Sequence, residues 1–169
     1  MNGVEVNSEI VIVAIALAIA ITVISLIYKS LQNRPRYEKR ILFTNAERNF
    51  LKVLDHAVGD RYRVFGKVRI ADVLEPSRKL SRKSRNSQFW KVSSKHFDYV
   101  LCDPATLEVV CVIELNDKSH EAANRRERDI FVNEACKSAQ LPIVWIPAKM
   151  KYDRKKIRSV VFDHIAEYQ

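Results

Sequence analysis

Two carboxylates set among strand-forming residues are where this chain could do chemistry. Asp98 lies in the middle of the run HFDYVLC, and Glu114 sits near the end of the nearly continuous apolar run EVVCVIEL, with fifteen residues between the two acids. If the two runs pair as an antiparallel hairpin, both side chains converge at one end of a sheet. A hard cation such as Mg²⁺ takes a few carboxylates and completes its shell with carbonyls and waters, so Asp98 and Glu114 are the candidate metal ligands. The plainer alternative makes Glu114 the start of a surface loop and Asp98 a satisfied carboxylate at a strand edge. His120, six positions past Glu114, could act as general base or acid on a water, or be an ordinary surface residue. Asp129 stands beside Arg125, Arg126 and Arg128. It could orient His120 or a basic side chain, or form a helix-surface ion pair of little worth. Glu47 completes Thr44-Asn45-Ala46-Glu47, a T-x-x-E capping box that accounts for it without catalysis.

The elements that must hold these groups can be read from periodicity. After the capping box, Ala46, Phe50, Leu51, Leu54, Ala57 and Val58 recur at helical spacing. Tyr62, Val64, Val68 and Ile70 then alternate with Arg61, Arg63, Lys67 and Arg69, which predicts a strand with one wet face. Ala71 to Glu75 is a short helical turn stopped by Pro76. Two strands follow, His96 to Cys102 and Glu108 to Leu115, parted by the turn formers Asp103-Pro104. Ile130, Phe131, Ala135 and Ala139 mark a helix over 124–140, LPIVWIP is a buried strand, and Asp153 caps a last helix carrying Ile157, Val160, Val161 and Ile165. The order is helix, three strands, helix, strand, helix. A strand that arrives after a helix pairs naturally in parallel, so a mixed sheet flanked by helices is expected.

Residues 77–96 carry seven Lys or Arg and no acid, and without periodicity they read as a loop. Phe89 and Trp90 amid Arg82, Lys83, Arg85, Lys91 and Lys95 form an aromatic-and-cation surface of the kind that grips a nucleic-acid backbone and stacks on bases; Arg126, in the basic first turn of the next helix, joins that set. The same loop could instead lie on anionic lipid headgroups.

Ile10 to Tyr28 are nineteen uncharged residues, almost all apolar. That length matches the ~20 residues a helix needs to cross a bilayer. Before it stand Glu5 and Glu9 with no Lys or Arg, and after it Lys29, Arg34, Arg36, Lys39 and Arg40. Positive flanks stay cytoplasmic, so the expected arrangement is an external N-terminus (1–8), a single-pass anchor in the inner (plasma) membrane (9–29), a basic linker (30–41) and a cytoplasmic domain (42–169). A cleaved signal peptide would want a basic start and an A-x-A-like site, and neither is present. Cys102, Cys111 and Cys136 are odd in number and lack CxxC spacing, which suits a reducing compartment. Beyond the two N-terminal acids the chain holds 29 basic and 18 acidic residues. Such an excess attracts polyanions, either nucleic acid or anionic lipid under the anchor.

Taken in order, Phe97-Asp98-Tyr99, Ile113-Glu114-Leu115-Asn116-Asp117, Ser119-His120 and Arg128-Asp129 resemble the family called domain of unknown function 2726. The pattern is also similar to the very-short-patch mismatch endonucleases, a branch of the PD-(D/E)XK nuclease superfamily. The resemblance runs from about Leu42 to Ile165 and excludes the anchor. It implies an α/β, restriction-endonuclease-like core (α-β-β-β-α-β-α, a mixed sheet flanked by helices) and Mg²⁺-dependent hydrolysis of phosphodiesters in DNA or RNA. By the same resemblance Asp98 is the main metal ligand, Glu114 the second acidic position, and Glu47 the helix-borne acid. His120 activates water or protonates the leaving oxygen. Two departures stand out. The lysine of the superfamily's E-x-K is Asn116 here, so Lys118 or His120 would have to substitute. No cysteine cluster matches the structural zinc of the mismatch endonucleases, so none is expected. The alternative to a nuclease is a non-catalytic nucleic-acid or anionic-membrane binding module, or an adaptor, that retains the fold.

Overall fold

A computed structural model describes residues 8–34, 36–116 and 123–168, the side chains of 123–125 excepted. The chain divides into two compact units, Met1–Arg40 and Ile41–Gln169. The first holds one helix, α1 (Ser8–Gln32), which runs three residues past the expected end of the anchor and buries none of its residues. Ile12, Leu17, Ile21 and Leu26 are all more than half exposed. By length and composition α1 is apolar enough to cross a membrane. Its one threonine hydroxyl is satisfied internally, Thr22 Oγ1 donating to the Ala18 carbonyl at 2.8 Å.

The second unit is built from α2 (Asn45–Val58), β1 (Arg63–Arg69), α3 (Ile70–Val73), α4 (Arg82–Val92), β2 (His96–Cys102), β3 (Val109–Asn116), α5 (Ala123–Ser138), β4 (Ile143–Pro147) and α6 (Arg154–Ala166). The strands lie in the order β1-β2-β3-β4. β1 pairs antiparallel to β2 and β2 to β3, whereas β3 and β4 are parallel with α5 as the crossover. The sheet is therefore mixed, as expected, with two further helices between its first two strands. One face, including Tyr99, Leu101 and Ile113, meets Phe50 and Leu54 of α2 and Ile157, Val161 and Ile165 of α6. The opposite face, including Val100, Val112 and Ile143, meets Ile70, Val92 and the Val132–Cys136 stripe of α5. Each fully buried Phe or Leu contributes about 2 kcal/mol through removal from water, so the sheet is fixed from both sides. Cys102, Cys111 and Cys136 are buried free thiols, and burial pushes Cys111 and Cys136 up to about 12.

Three sequence expectations need correction. Residues 82–92 form the helix α4, not a loop. Ser81 caps it, its side chain accepting from the Ser84 amide. The helix was invisible to periodicity because only Val92 on it is buried. In α5 the fully buried residues are Val132 and Cys136, with Phe131 packed beside them as expected, while Ile130 is 60 % exposed. In α6, Ile157, Val161 and Ile165 face the core and Val160 does not.

One glycine is dictated by packing. The Phe43 ring lies over Gly66 of β1, where an added Cβ would stand 2.2 Å from the ring. The same ring stacks on Tyr99 with centroids 6.0 Å apart, and Tyr99 in turn donates to the Glu47 carbonyl at 2.7 Å. This column joins the start of α2 to the centre of the sheet.

Candidate active site

Asp98 and Glu114 do converge. Tyr99 pairs with Ile113 across β2 and β3, so one step along the antiparallel ladder Asp98 stands opposite Glu114. Asp98 Oδ2 accepts from the Leu115 amide at 2.9 Å, which fixes the carboxylate against β3. Its other oxygen, Oδ1, accepts from Lys67 Nζ at 2.7 Å. Lys67 also donates to Glu47 Oε1 at 2.6 Å. Glu47 divides its two oxygens: Oε2 accepts from the Thr44 amide at 2.7 Å to close the capping box, and Oε1 faces the site. The cap and the site are thus the same residue, and neither reading excludes the other.

Lys67 occupies a backbone conformation that side chains avoid, with φ of +56°, at a cost on the order of 1–3 kcal/mol. Regular pairs flank it, Gly66 with Tyr99 and Val68 with Phe97. Val64 packs into the α2 layer and Val68 into the α5 layer, so the strand changes face at Lys67. That switch brings the ammonium to Glu47 and Asp98. Burial works against the charge of Lys67, but the bonds to Asp98 and Glu47 outweigh it and hold the ammonium above its usual range. For Glu47, burial pushes upward and is overcome by Lys67 and Thr44, leaving the carboxyl below its usual value.

Glu114 is only 3 % exposed. Arg128 of α5 reaches its Oε2 at 3.4 Å, and Oε1 is buried with no hydrogen-bond partner among the described residues. Burial first, then the neighbouring Asp98, raise the acid, with Arg128 opposing and Asp129 adding; the result is about 8. Arg128 satisfies only one of the two Glu114 oxygens. It divides itself between that contact and a 3.3 Å approach of its Nε to Asp129 Oδ1, and both of those atoms lack hydrogen-bond geometry within the described residues.

Glu47, Lys67, Asp98, Glu114, Arg128 and Asp129 line one groove of about 630 Å³. Four of the five carboxylates and bases expected from sequence therefore share a site. The fifth, His120, lies outside the described residues, as does Lys118. Lys67 was missed, because strict alternation assigns it to the wet face with Arg63 and Arg69. Of the expected nucleic-acid contacts, Arg82, Lys83, Arg85, Trp90 and Lys91 are carried by α4 and Arg126 by α5. Among the described residues no group of three or more His, Cys, Asp or Glu gathers closely enough to hold a metal. Asp98 and Glu114 form a pair, and a pair is what Mg²⁺ commonly takes from protein before waters and phosphate complete its shell. Glu114 Oε1, without a partner among the described residues, is the atom that such a cation would satisfy, so the residues fit it.

An α/β domain with paired carboxylates and a lysine at the sheet's end is the class these features define. The family model described as "Protein of unknown function (DUF2726)" matches residues 39–165. The chain belongs to this family. No curated protein and no solved structure matched it.

Proposed function

We propose that the domain is a Mg²⁺-dependent phosphodiester hydrolase acting on nucleic acid, with a restriction-endonuclease-like core. The observation that carries this reading is the Lys67 ammonium between Asp98 and Glu47, at 2.7 and 2.6 Å, beside a buried acid one of whose oxygens has no hydrogen-bond partner among the described residues. Here Lys67, from another strand, supplies the cation that Asn116 cannot. Asp98 and Glu114 would hold the metal, which when bound polarises a phosphoryl oxygen and its attacking water. Lys67 orients the Asp98 and Glu47 carboxylates and adds positive charge where a phosphodiester gains negative charge. Glu47 fixes the ammonium from the helix side, and Arg128 is placed to take a phosphate oxygen once it leaves Glu114. His120 is the proposed proton carrier, taking a proton from the water or giving one to the leaving oxygen. The apolar helix α1 and its charge flanks support a single-pass anchor in the inner membrane, with the N-terminus outside and the domain in the cytoplasm.

The test is cleavage of plasmid and oligonucleotide by the full chain in detergent micelles with Mg²⁺ or Mn²⁺. Asp98→Asn and Glu114→Gln should fall to background, and Lys67→Met should lose about a hundredfold or more. Cleavage that survives Asp98→Asn overturns the reading. A second reading has one observation in its favour: Lys67 and Arg128 already lie against the acids, as in a purely structural charge network. On that reading the domain binds nucleic acid in a salt-dependent way and never cleaves it.

A further inference from the structure

The helix α4 is tied to the domain by a few side chains, Val92 in the core and Arg85 paired with Glu75 at 3.7 Å, and the rest of its surface is open. It carries Arg82, Lys83, Arg85 and Lys91 with no acid, and it buries Val92 alone. With 3.6 residues per turn, the side opposite Val92 presents Lys83, Ser87 and Trp90, with Lys83 and Trp90 about 10 Å apart along the axis. Trp90 is 71 % exposed, its ring standing edge-on to Phe89 with centroids 5.4 Å apart. Lys91 sits 5.0 Å over the Phe131 ring of α5, and Lys95 Nζ donates to the Lys91 carbonyl. From this end the chain passes directly to Ser94, Lys95 and His96, which line the groove of Asp98 and Glu114.

We infer that α4 is a seat for an unpaired nucleic-acid strand, with Trp90 stacking on a base and Lys83 holding the phosphate chain as it leads into the groove. This deepens the hydrolase reading and takes the strand's destination from it. An exposed indole can stack on a base only when that base is out of a duplex, which selects single strands over paired ones. The competing occupant, a lipid surface, wants a helix whose apolar residues gather on one face. α4 does not have one: Phe89 and Val92 share a face with Arg82 and Arg85 set between and beside them, and Trp90 lies on the opposite side.

Binding is measured with the full chain in non-ionic micelles and EDTA, so that hydrolysis plays no part, using fluorescent 20-nucleotide oligodeoxythymidine and a 20-base-pair duplex. The single strand should bind more tightly. Trp90→Ala should weaken it about tenfold or more while changing duplex binding less than twofold, and Trp90→Phe should restore most of the loss. Lys83→Gln should lower the slope of log affinity against log salt by about 0.7. Equal single-strand affinity in wild type and Trp90→Ala overturns the proposal. So does flotation with anionic vesicles that depends on Trp90 while oligonucleotide binding does not. Trp90-dependent binding without Mg²⁺ cleavage would sink the hydrolase reading and leave the seat on α4 standing; cleavage without Trp90 dependence would do the reverse.

Discussion

α2 and α4 begin alike and then diverge. Both start from a hydroxyl cap, Thr44 and Ser81, whose side chain accepts from the third residue of the helix. α2 goes on to bury Phe50, Leu54, Ala57 and Val58, and its first turn delivers Glu47 to Lys67 through a carboxylate that is also the cap. α4 buries one residue, pairs Arg85 with Glu75 at 3.7 Å and leaves Arg82, Lys83 and Trp90 exposed. One helix is over-determined by the core and holds Glu47 firmly against Lys67. The other is held at its ends, with a face free for a partner. On the proposed reading, the pairing separates a positioning element from a docking element within one domain.

Truncating one phenylalanine on each helix should give the largest difference. Phe50 contacts Tyr99 and Tyr152, with ring centroids 5.4 and 4.9 Å away, so Phe50→Ala should cost about 3–5 kcal/mol of unfolding free energy. Phe89→Ala, at a site 39 % exposed, should cost less than about 1 kcal/mol. Denaturant titration of the full chain in micelles measures both. A Phe89→Ala loss as large as that of Phe50→Ala would make α4 a core helix and remove the contrast.

Glu114 offers the next effect, and it has a sign. Its folded value is near 8, raised chiefly by burial from the ordinary 4.5. Below pH 4.5 it is protonated in both states. Between 4.5 and 8 the unfolded chain releases the proton and the folded chain keeps it, so the stabilisation present at low pH is lost as pH rises, and stability is flat with respect to this group above 8. The total loss is on the order of a few kcal/mol. Glu114→Gln should abolish the decline in a metal-free pH series; an unchanged slope would mean that Arg128 neutralises the acid after all.

The Phe43 column gives a third, smaller test. Gly66→Ala forces the Phe43 ring to move, since the new Cβ would sit 2.2 Å from it, and overpacking of this kind costs about 1–3 kcal/mol. Because Phe43 stacks on Tyr99 and Tyr99 holds the Glu47 carbonyl, the substitution should also lower cleavage. Gly59→Ala is the control for a glycine with no neighbour within 4 Å but with a φ of +55°. It should lose stability and leave the site alone.

These differences also explain what could be read from the chain alone. Asp98 and Glu114 were found because β2 and β3 are apolar runs whose pairing puts the two acids in register. The parallel β3–β4 pair followed from the intervening helix. Lys67 was hidden because parity along a strand assumes that every residue is extended, and Lys67 is left-handed. α4 was hidden because periodicity reports burial, and a helix with one buried residue has almost none to report. In α5 the apolar residues Ile130, Phe131, Ala135 and Ala139 mark the helix, yet the fully buried stripe is Val132 and Cys136, with Phe131 packed beside it.

The caps provide the finest test of the comparison. Thr44→Ala and Ser81→Ala each remove one side-chain acceptor at a helix start, a loss of about 0.5–2 kcal/mol in either place. On stability alone the two should be nearly equal. They should differ in function. Without the Thr44 hydroxyl the Glu47 amide loses its acceptor, while the Thr44 amide still donates to Glu47 Oε2, so the turn that carries Glu47 loosens; cleavage should fall severalfold with little change in oligonucleotide affinity. Without Ser81 the first turn of α4 frays, so Arg82 and Lys83 lose their fixed spacing from Trp90, and single-strand affinity should drop while turnover at saturating substrate holds. If both substitutions moved affinity and turnover together, α2 and α4 would be parts of one site and the division of labour between them would be wrong.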